Sequence, residues 1–213
     1  MHHAFTLSGE TLHALPSGAL YWPARRLLCV SDLHLGKSER LARRGGALLP
    51  PYETRETLHR LEAEVDRTAP ATVICLGDSF DDLAAVRGLE DEARLRLARL
   101  MAGRDWTWIE GNHDAGPVEI GGTHRAQMTL GPLTFRHIAD AAQTGEISGH
   151  YHPKARLKGT TRPCFLLDGD RLILPAFGTY TGGLPTDAAA LKGLLRQGAL
   201  AILTGPRALP MPL

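Results

Sequence analysis

Five short polar motifs in this chain contain the side-chain types that bind metal ions. Each motif directly follows a run of apolar residues, and they are Asp32-Leu33-His34, Gly77-Asp78, Gly111-Asn112-His113-Asp114, His137 and Gly149-His150-Tyr151-His152. Together they supply seven candidate ligands, which are Asp32, His34, Asp78, Asn112, His137, His150 and His152. Carboxylate and amide oxygens mixed with imidazoles, without a thiolate, suit Mn²⁺, Fe or Zn²⁺. We therefore expect a metal centre built from these motifs.

The number of candidate ligands is too large for one ion. The seven groups divide between two ions if one carboxylate bridges them, and Asp78 is the economical choice because it is alone in its motif. Two ions about 3.5 to 4 Å apart form a clamp for in-line attack at phosphorus. The motifs thus predict phosphoester chemistry.

Local geometry gives two further expectations about these motifs. One intervening residue would place Asp32 and His34 on the same face of a straight strand, and the same holds for His150 and His152, although a turn can change which ligand serves which ion. Glycine stands at the start of three motifs, where strand becomes loop and unusual backbone angles are needed.

Each motif alone also has an ordinary structural explanation. His137 could be a satisfied histidine at a strand end, and Asp114 could be the N-cap of a helix. His124, in a glycine-rich segment, is an alternative to His137 as the lone-histidine ligand, but His137 is favoured because it ends an apolar run. The occurrence of five such motifs, each at a strand terminus, favours a shared site.

The elements that must position these motifs can be read from hydrophobic patterning. Continuous apolar runs predict buried strands at 27–30, 72–76 and 106–109, and helical spacing predicts helices over 53–67 and 89–101. Shorter runs predict an edge meander over 4–24, strands at 133–136, 146–148 and 200–203, a hairpin from 165–167 to 171–174, and a helix within 188–196. Residues 115–131 are expected to be loop. The result is an α/β (α+β) domain spanning 1–213, with two stacked mixed sheets flanked by helices and sites at the carboxyl ends of the strands.

Composition narrows the class of protein. The chain has 213 residues, 43% hydrophobic and 22% charged, with a net charge of +1. No apolar run approaches the roughly 20 residues that span a bilayer, and the N-terminus lacks the features of a secretory signal, so we expect a cytoplasmic protein without a membrane partner. Three cysteines without a Cys-x-x-Cys spacing argue against a disulfide framework or a thiolate zinc site.

Two basic segments adjoin the motifs. Residues 25–44 contain six basic residues against two acidic ones, an excess of +4, and residues 154–171 contain five against two, an excess of +3. Lys37, Arg40, Arg43 and Arg44 could track a phosphate backbone, and Tyr180 or Tyr151 could stack on a base, although scattered solvated arginines and a packed Tyr151 are the ordinary explanations.

The ordered motifs resemble those of the calcineurin-like binuclear metallophosphoesterase superfamily over about residues 29–153. The resemblance implies a four-layer αββα sandwich of two mixed sheets flanked by helices. It implies that Asp32, His34, Asp78 and His152 surround one metal, and that Asp78, Asn112, His137 and His150 surround the other. It also implies that His113 faces the scissile phosphate.

A narrower resemblance covers nearly the whole chain. Segments 32–37, 76–80, 106–114, 162–165 and 175–183 are similar to the ligase-associated DNA-damage-response endonucleases. That bacterial family is associated with a DNA ligase, a helicase and an exonuclease, and its members are manganese-dependent phosphodiesterases acting on single-stranded DNA. The resemblance implies two divalent ions, Mn²⁺ first and Zn²⁺ or Fe as alternatives.

The mechanistic hypothesis is attack at phosphorus by a hydroxide that two metal ions make available near neutral pH. His113 would protonate the leaving alkoxide, with Asp114 orienting its imidazole. A phosphoesterase for a nucleotide or cyclic nucleotide is the competing enzyme, since the same metal core serves phosphomonoesters and diesters, and a binding module that has lost catalysis is the third possibility.

Overall fold

The first of two mixed sheets contains the strands that lead into the upstream motifs. A computed structural model describes residues 1–46 and 49–213. The sheet consists of β1 (His3–Leu7), β2 (Glu10–Ala14), β3 (Leu20–Trp22), β4 (Leu27–Ser31), β5 (Thr72–Leu76), β6 (Asp105–Ile109) and β7 (Thr123–Arg125), in that order. The first four strands form an antiparallel meander, whereas β4 to β7 are parallel. The predicted meander and the three predicted buried strands are confirmed.

The second sheet supplies the downstream motifs. It contains β8 (Gln127–Leu130), β9 (Leu133–Arg136), β10 (Glu146–Ser148), β11 (Lys154–Leu157), β12 (Thr160–Leu167), β13 (Arg171–Ile173), β14 (Leu200–Leu203) and β15 (Leu209–Pro212). Their order is β15-β14-β12-β13-β10-β9-β8, with β11 paired to β12 beside this path. The prediction of loop over 115–131 is wrong for β7 and β8, because these short edge strands have alternating exposure rather than an apolar run.

Within residues 1–46 and 49–213 the structure has five α-helices, which are α1 (Lys37–Arg43), α2 (Glu53–Thr68), α3 (Leu83–Gly88), α4 (Asp91–Met101) and α5 (Ala189–Lys192). The predicted helices over 53–67 and 89–101 correspond to α2 and α4, which bury the apolar stripes that identified them. The last predicted helix is present only as the four residues of α5. The sequence analysis missed α1 and α3, since α1 buries only Ser38 and α3 has six residues.

Three hydrophobic clusters show how the layers stack. One cluster joins α2 and α4 to one face of the first sheet, through residues such as Leu58, Leu97 and Val73. A second lies between the two sheets and contains Ile74 and Phe135, and a third joins Leu191 of α5 to the outer face of the second sheet. Burial of both faces of each sheet produces the four-layer αββα sandwich, as the sequence predicted. Among the helices in the described part of the chain, none has the length and apolarity needed to cross a bilayer.

Candidate metal centre

All seven candidate ligands lie at one edge of the two sheets. Because β4, β5 and β6 are parallel and in register, their carboxyl ends lie side by side, directly before Asp32, Gly77-Asp78 and the motif at 111–114. In the second sheet, β9 and β10 are also parallel and end directly before His137 and Gly149-His150. The sandwich therefore brings five motifs, distant in sequence, to a common edge.

The first cluster contains Asp32, His34 and His152. Their ligand-type atoms lie within 4.8 Å of one another. Asp32 Oδ1, His34 Nε2 and His152 Nε2 are buried and have no hydrogen-bond partner in the described chain. His152 Nε2 is 3.1 Å from Asp32 Oδ1, yet the two atoms are not aligned as a hydrogen bond. Three convergent buried polar atoms without partners would be costly in a closed protein, and a divalent cation would satisfy all three.

The second cluster contains Asp78, His137 and His150, again with ligand atoms within 4.8 Å, together with the amide of Asn112. His137 Nδ1 is 3.0 Å from the carbonyl oxygen of Leu76, and because a carbonyl only accepts, Nδ1 carries the proton. His137 Nε2 then has a lone pair when the ring is neutral. It is 3.0 Å from Asn112 Oδ1, 3.3 Å from Asp78 Oδ2 and 3.3 Å from His150 Nδ1. Lone pairs that face one another at this spacing fit coordination to a shared cation.

The two clusters adjoin each other around Asp32. Asp32 Oδ2 accepts hydrogen bonds from Ser31 Oγ at 2.5 Å and from the backbone N–H of His150 at 3.0 Å, and Asp32 Oδ1 is 3.9 Å from His137 Nδ1. Burial raises the pKa of Asp32 and that of Asp78, but the neighbouring histidines, His152 for Asp32 and His137 for Asp78, more than offset burial. The pKa of each carboxyl therefore lies below its usual value, so both are anionic at neutral pH.

Asp81 is a functional candidate that the sequence analysis missed. Its Oδ1 accepts a hydrogen bond of 2.8 Å from His34 Nδ1, which directs His34 Nε2 into the first cluster, and its Oδ2 pairs with Arg40. A carboxylate behind a metal-binding histidine fixes the tautomer and the orientation of the ring. The only sequence signal was an aspartate three residues after Asp78, which is too common to be informative.

His113 is held beside the first cluster. Its backbone N–H donates to Asp78 Oδ1 at 2.9 Å, and its Nδ1 donates to the carbonyl oxygen of Asp81 at 2.9 Å. The ring lies edge-on to that of His34, with centroids 5.2 Å apart. Nε2 is the remaining ring nitrogen that can exchange a proton with a ligand.

Asp114 does not orient His113, contrary to the hypothesis from the sequence. Its Oδ1 accepts from the backbone N–H groups of Asp78 (3.1 Å) and Gly111 (3.0 Å), and its Oδ2 accepts from those of Ser79 (2.8 Å) and Phe80 (3.1 Å). Asp114 is not a helix N-cap either, because no helix begins directly after it. Asp114 instead ties the loop after β5 to the loop after β6.

The glycines of the motifs matter more because they lack a Cβ than because they allow unusual backbone angles. Only Gly77 has a positive φ (67°), whereas a Cβ at Gly111 would lie 2.2 Å from Asp78 Oδ1 and one at Gly149 would lie 2.6 Å from Asp32 Oδ2. The left-handed angles belong to the candidate ligands Asp32, His34, Asp78, His150 and His152, with φ between 45° and 70°. These residues therefore do not lie on straight strands, and the alternative in which a turn sends His150 and His152 to different clusters applies. Each of these residues holds strain of about 1 kcal/mol or more.

Comparisons with known proteins agree with this geometry. The sequence profile of the calcineurin-like phosphoesterase family matches residues 25–185. The chain belongs to the calcineurin-like phosphoesterase family. As a family member it is a hydrolase of phosphoric esters, and the two clusters correspond to the binuclear metal site that this family uses.

Solved structures add a closer likeness. The crystal structure of Pseudomonas putida nuclease MPE is 28% identical, with a TM-score of 0.77 over 99% of this chain and 100% of that one. A phosphoesterase from E. coli, Yfce, is 13% identical with a TM-score of 0.40, over 83% of this chain and 87% of that one. A comparison with curated proteins finds no match.

His124 lies away from the metal centre of this phosphoesterase. It is on β7, opposite Trp108 of β6, and its ring stacks on that indole with centroids 6.5 Å apart. Burial lowers the pKa of His124. Among the described residues, His137 rather than His124 approaches Asp78.

Three of the four basic residues predicted to track a phosphate backbone form ion pairs with acidic residues. Arg40 pairs with Asp81, Arg43 with Glu39 and Asp82, and Arg44 with Asp82. Asp81 and Asp82, in the loop after β5, therefore offset two of the four excess positive charges of segment 25–44. Lys37 begins α1, and Tyr180 is 43% exposed in segment 175–183, whereas Tyr151 packs against the third hydrophobic cluster.

Proposed function

We propose that this chain is a manganese-dependent phosphodiesterase that cuts single-stranded DNA in bacterial DNA repair. The observation that carries the proposal is the pair of adjacent clusters of metal-binding side chains at one sheet edge, the first of which has three buried polar atoms without a hydrogen-bond partner. The similarity of this protein to the structure of Pseudomonas putida nuclease MPE, over 99% of the chain, supports a nucleic acid substrate. A DNA ligase, a helicase and an exonuclease of the same pathway are the proposed functional partners.

The donor set fits two divalent ions. Asp32, His34 and His152 would hold one ion and Asn112, His137 and His150 the other, with Asp78 as the shared carboxylate. When bound, such ions neutralise phosphate charge and lower the pKa of a water molecule so that hydroxide is available near neutral pH. The protein's part is to hold these donors, and Asp81 and the carbonyl of Leu76 fix the tautomers of His34 and His137.

His113 is proposed to protonate the leaving oxygen. Because Nδ1–H is engaged by the carbonyl of Asp81, the transferred proton would come from Nε2. The backbone N–H bond to Asp78 fixes His113 relative to the proposed bridging carboxylate. The loop after β5, which contains the candidate ligand Asp78, thus also positions the imidazole of His113.

The test compares His113→Gln with wild-type protein and with His59→Gln, which changes an exposed histidine on α2. With Mn²⁺ and a single-stranded oligonucleotide, His113→Gln is expected to lower kcat by about 100-fold or more. Metal content should stay at the wild-type value, and His59→Gln should leave both unchanged. Normal turnover by His113→Gln at normal metal content would contradict the assigned role.

A small phosphoester is the second candidate substrate, favoured by the ion pairing of Arg40, Arg43 and Arg44, which removes positive charge from α1. A phosphomonoester, a small phosphodiester and a single-stranded oligonucleotide, each tested with Mn²⁺, separate the two. The proposed function requires the oligonucleotide to have the highest kcat/KM. A higher value for the monoester would favour the alternative.

A further inference from the structure

Three basic residues around the β11–β12 hairpin, unlike the arginines at positions 40, 43 and 44, make no ion pair in the described part of the chain. Among the described residues, the acids that pair with arginines include those bound to Arg40, Arg43, Arg171 and Arg196, whereas no ion pair involves Lys158, Arg162 or Arg207. These three cations lie around one pocket of about 430 Å³, whose other lining residues are Leu157, Thr160, Pro206 and Leu209. The wall therefore combines three positive charges and an apolar surface with no acid, which suits an anionic ligand that also has a nonpolar part.

The hairpin that forms one wall of this pocket starts at the metal centre. β11 begins two residues after His152, and Arg162 of β12 lies opposite Ala155 of β11. Ala155 is three positions and Leu157 five positions after His152, so these Cα atoms lie within at most roughly 11 and 18 Å of the Cα of His152. A polymer chain held at the metals can reach the pocket within a few nucleotides.

The pocket is held open by its backbone. Lys158 and Gly159, with φ of 49° and 83°, form the two-residue turn between paired Leu157 and Thr160, as in a type I′ hairpin. The opposite wall is fixed to this hairpin because the N–H and the hydroxyl of Thr204 both donate to the carbonyl of Pro163 at 2.9 Å. A pre-formed wall lowers the ordering cost of binding.

We propose that this pocket, called here the hairpin pocket, binds the phosphate backbone of single-stranded DNA a few nucleotides from the scissile bond. The inference rests on the proposed function and names the path of its substrate. Lys158, Arg162 and Arg207 contact phosphates, and Leu157, Pro206 and Leu209 contact sugar and base. The DNA strand thus leaves the metal centre along β11 rather than along α1.

The test removes two charges from the hairpin pocket with Lys158→Gln/Arg207→Gln. Arg162 is left in place because it packs against Gly205, where a Cβ would lie 3.2 Å from its Nη1. The matched control is Arg25→Gln/Arg99→Gln, which removes two exposed charges near the other end of the first sheet, before β4 and β6. Anisotropy of a labelled single-stranded dodecamer in EDTA measures binding, and turnover of the dodecamer and of a small phosphodiester with Mn²⁺ measures activity.

The hairpin variant is expected to bind and cleave the dodecamer about tenfold less well at moderate salt, and to lower the salt slope of binding by about 1.4, or 0.7 for each lost phosphate contact. Turnover of the small diester should be unchanged, and the control should match wild type in all assays. Equal dodecamer affinity and salt slope in the two double variants would overturn the hairpin pocket alone. Binding that depends on the hairpin without cleavage of the dodecamer by wild type would instead overturn the proposed function alone.

Discussion

Asp114→Asn tests whether this carboxylate supports the site through the backbone or acts on His113. Each carboxylate oxygen accepts two backbone N–H groups, and Asp114 is 6% exposed. Asparagine keeps one oxygen and so leaves two buried N–H groups facing an amide NH₂. A buried donor without a partner costs about 1–3 kcal/mol, or roughly 2–6 kcal/mol for two. Burial raises the pKa of Asp114, which shows that the charge itself is costly, so we expect the lower part of this range, about 2–3 kcal/mol.

The assay is chemical and thermal unfolding of the metal-free protein, followed by circular dichroism. For a chain of this length the loss corresponds to a fall in Tm of about 4–12 °C. Asp66→Asn, which changes an exposed aspartate on α2, is the matched control and should shift Tm by less than about 1 °C. The reasoning is refuted if Asp114→Asn leaves the free energy of unfolding unchanged while turnover falls, because Asp114 would then act on the chemistry rather than on the loops.

Three further perturbations follow from the same geometry. Asp81→Ala should weaken metal affinity by about 10- to 100-fold, measured by titration calorimetry, because His34 loses the acceptor that fixes its ring; unchanged affinity would remove Asp81 from this role. Gly149→Ala should lower Tm and abolish turnover, since its Cβ would lie 1.8 Å from Ser31 Oγ, whereas Gly169→Ala, whose Cβ meets nothing within 4 Å, should behave as wild type; similar behaviour of the two variants would contradict the close approach. Removal of metal with EDTA should abolish phosphodiester turnover and lower Tm, and added Mn²⁺ should restore both; residual turnover in EDTA equal to that with Mn²⁺ would exclude metal dependence.

The sequence predicted the strands and helices whose burial is visible as a regular pattern of neighbouring apolar residues. The buried strands and the helices α2 and α4 have apolar runs or stripes that report burial directly, and polar residues at the ends of parallel strands must meet at one edge. The candidate ligands were found for this reason. Short elements such as α1 and β7 have no such pattern, since packing rather than propensity determines them.

The roles that depend on long-range contacts could not be predicted. Asp81 meets His34 and Arg40 from 47 and 41 positions away, and Asp114 meets the amides of 78–80 from about 35 positions away. Charge counts along segment 25–44 predicted a basic surface because they could not include Asp81 and Asp82. Only the folded arrangement shows that Lys158, Arg162 and Arg207, which make no ion pair among the described residues, lie around one pocket.

The most direct test of the central claim is hydrolysis of a single-stranded oligonucleotide during a titration of metal-free protein with Mn²⁺, with bound metal measured in the same samples. The account predicts that cleavage rises to a plateau at two ions per chain, and that His137→Ala binds fewer ions and does not reach this plateau. Full activity at one ion per chain, or no cleavage with two ions bound, would contradict it.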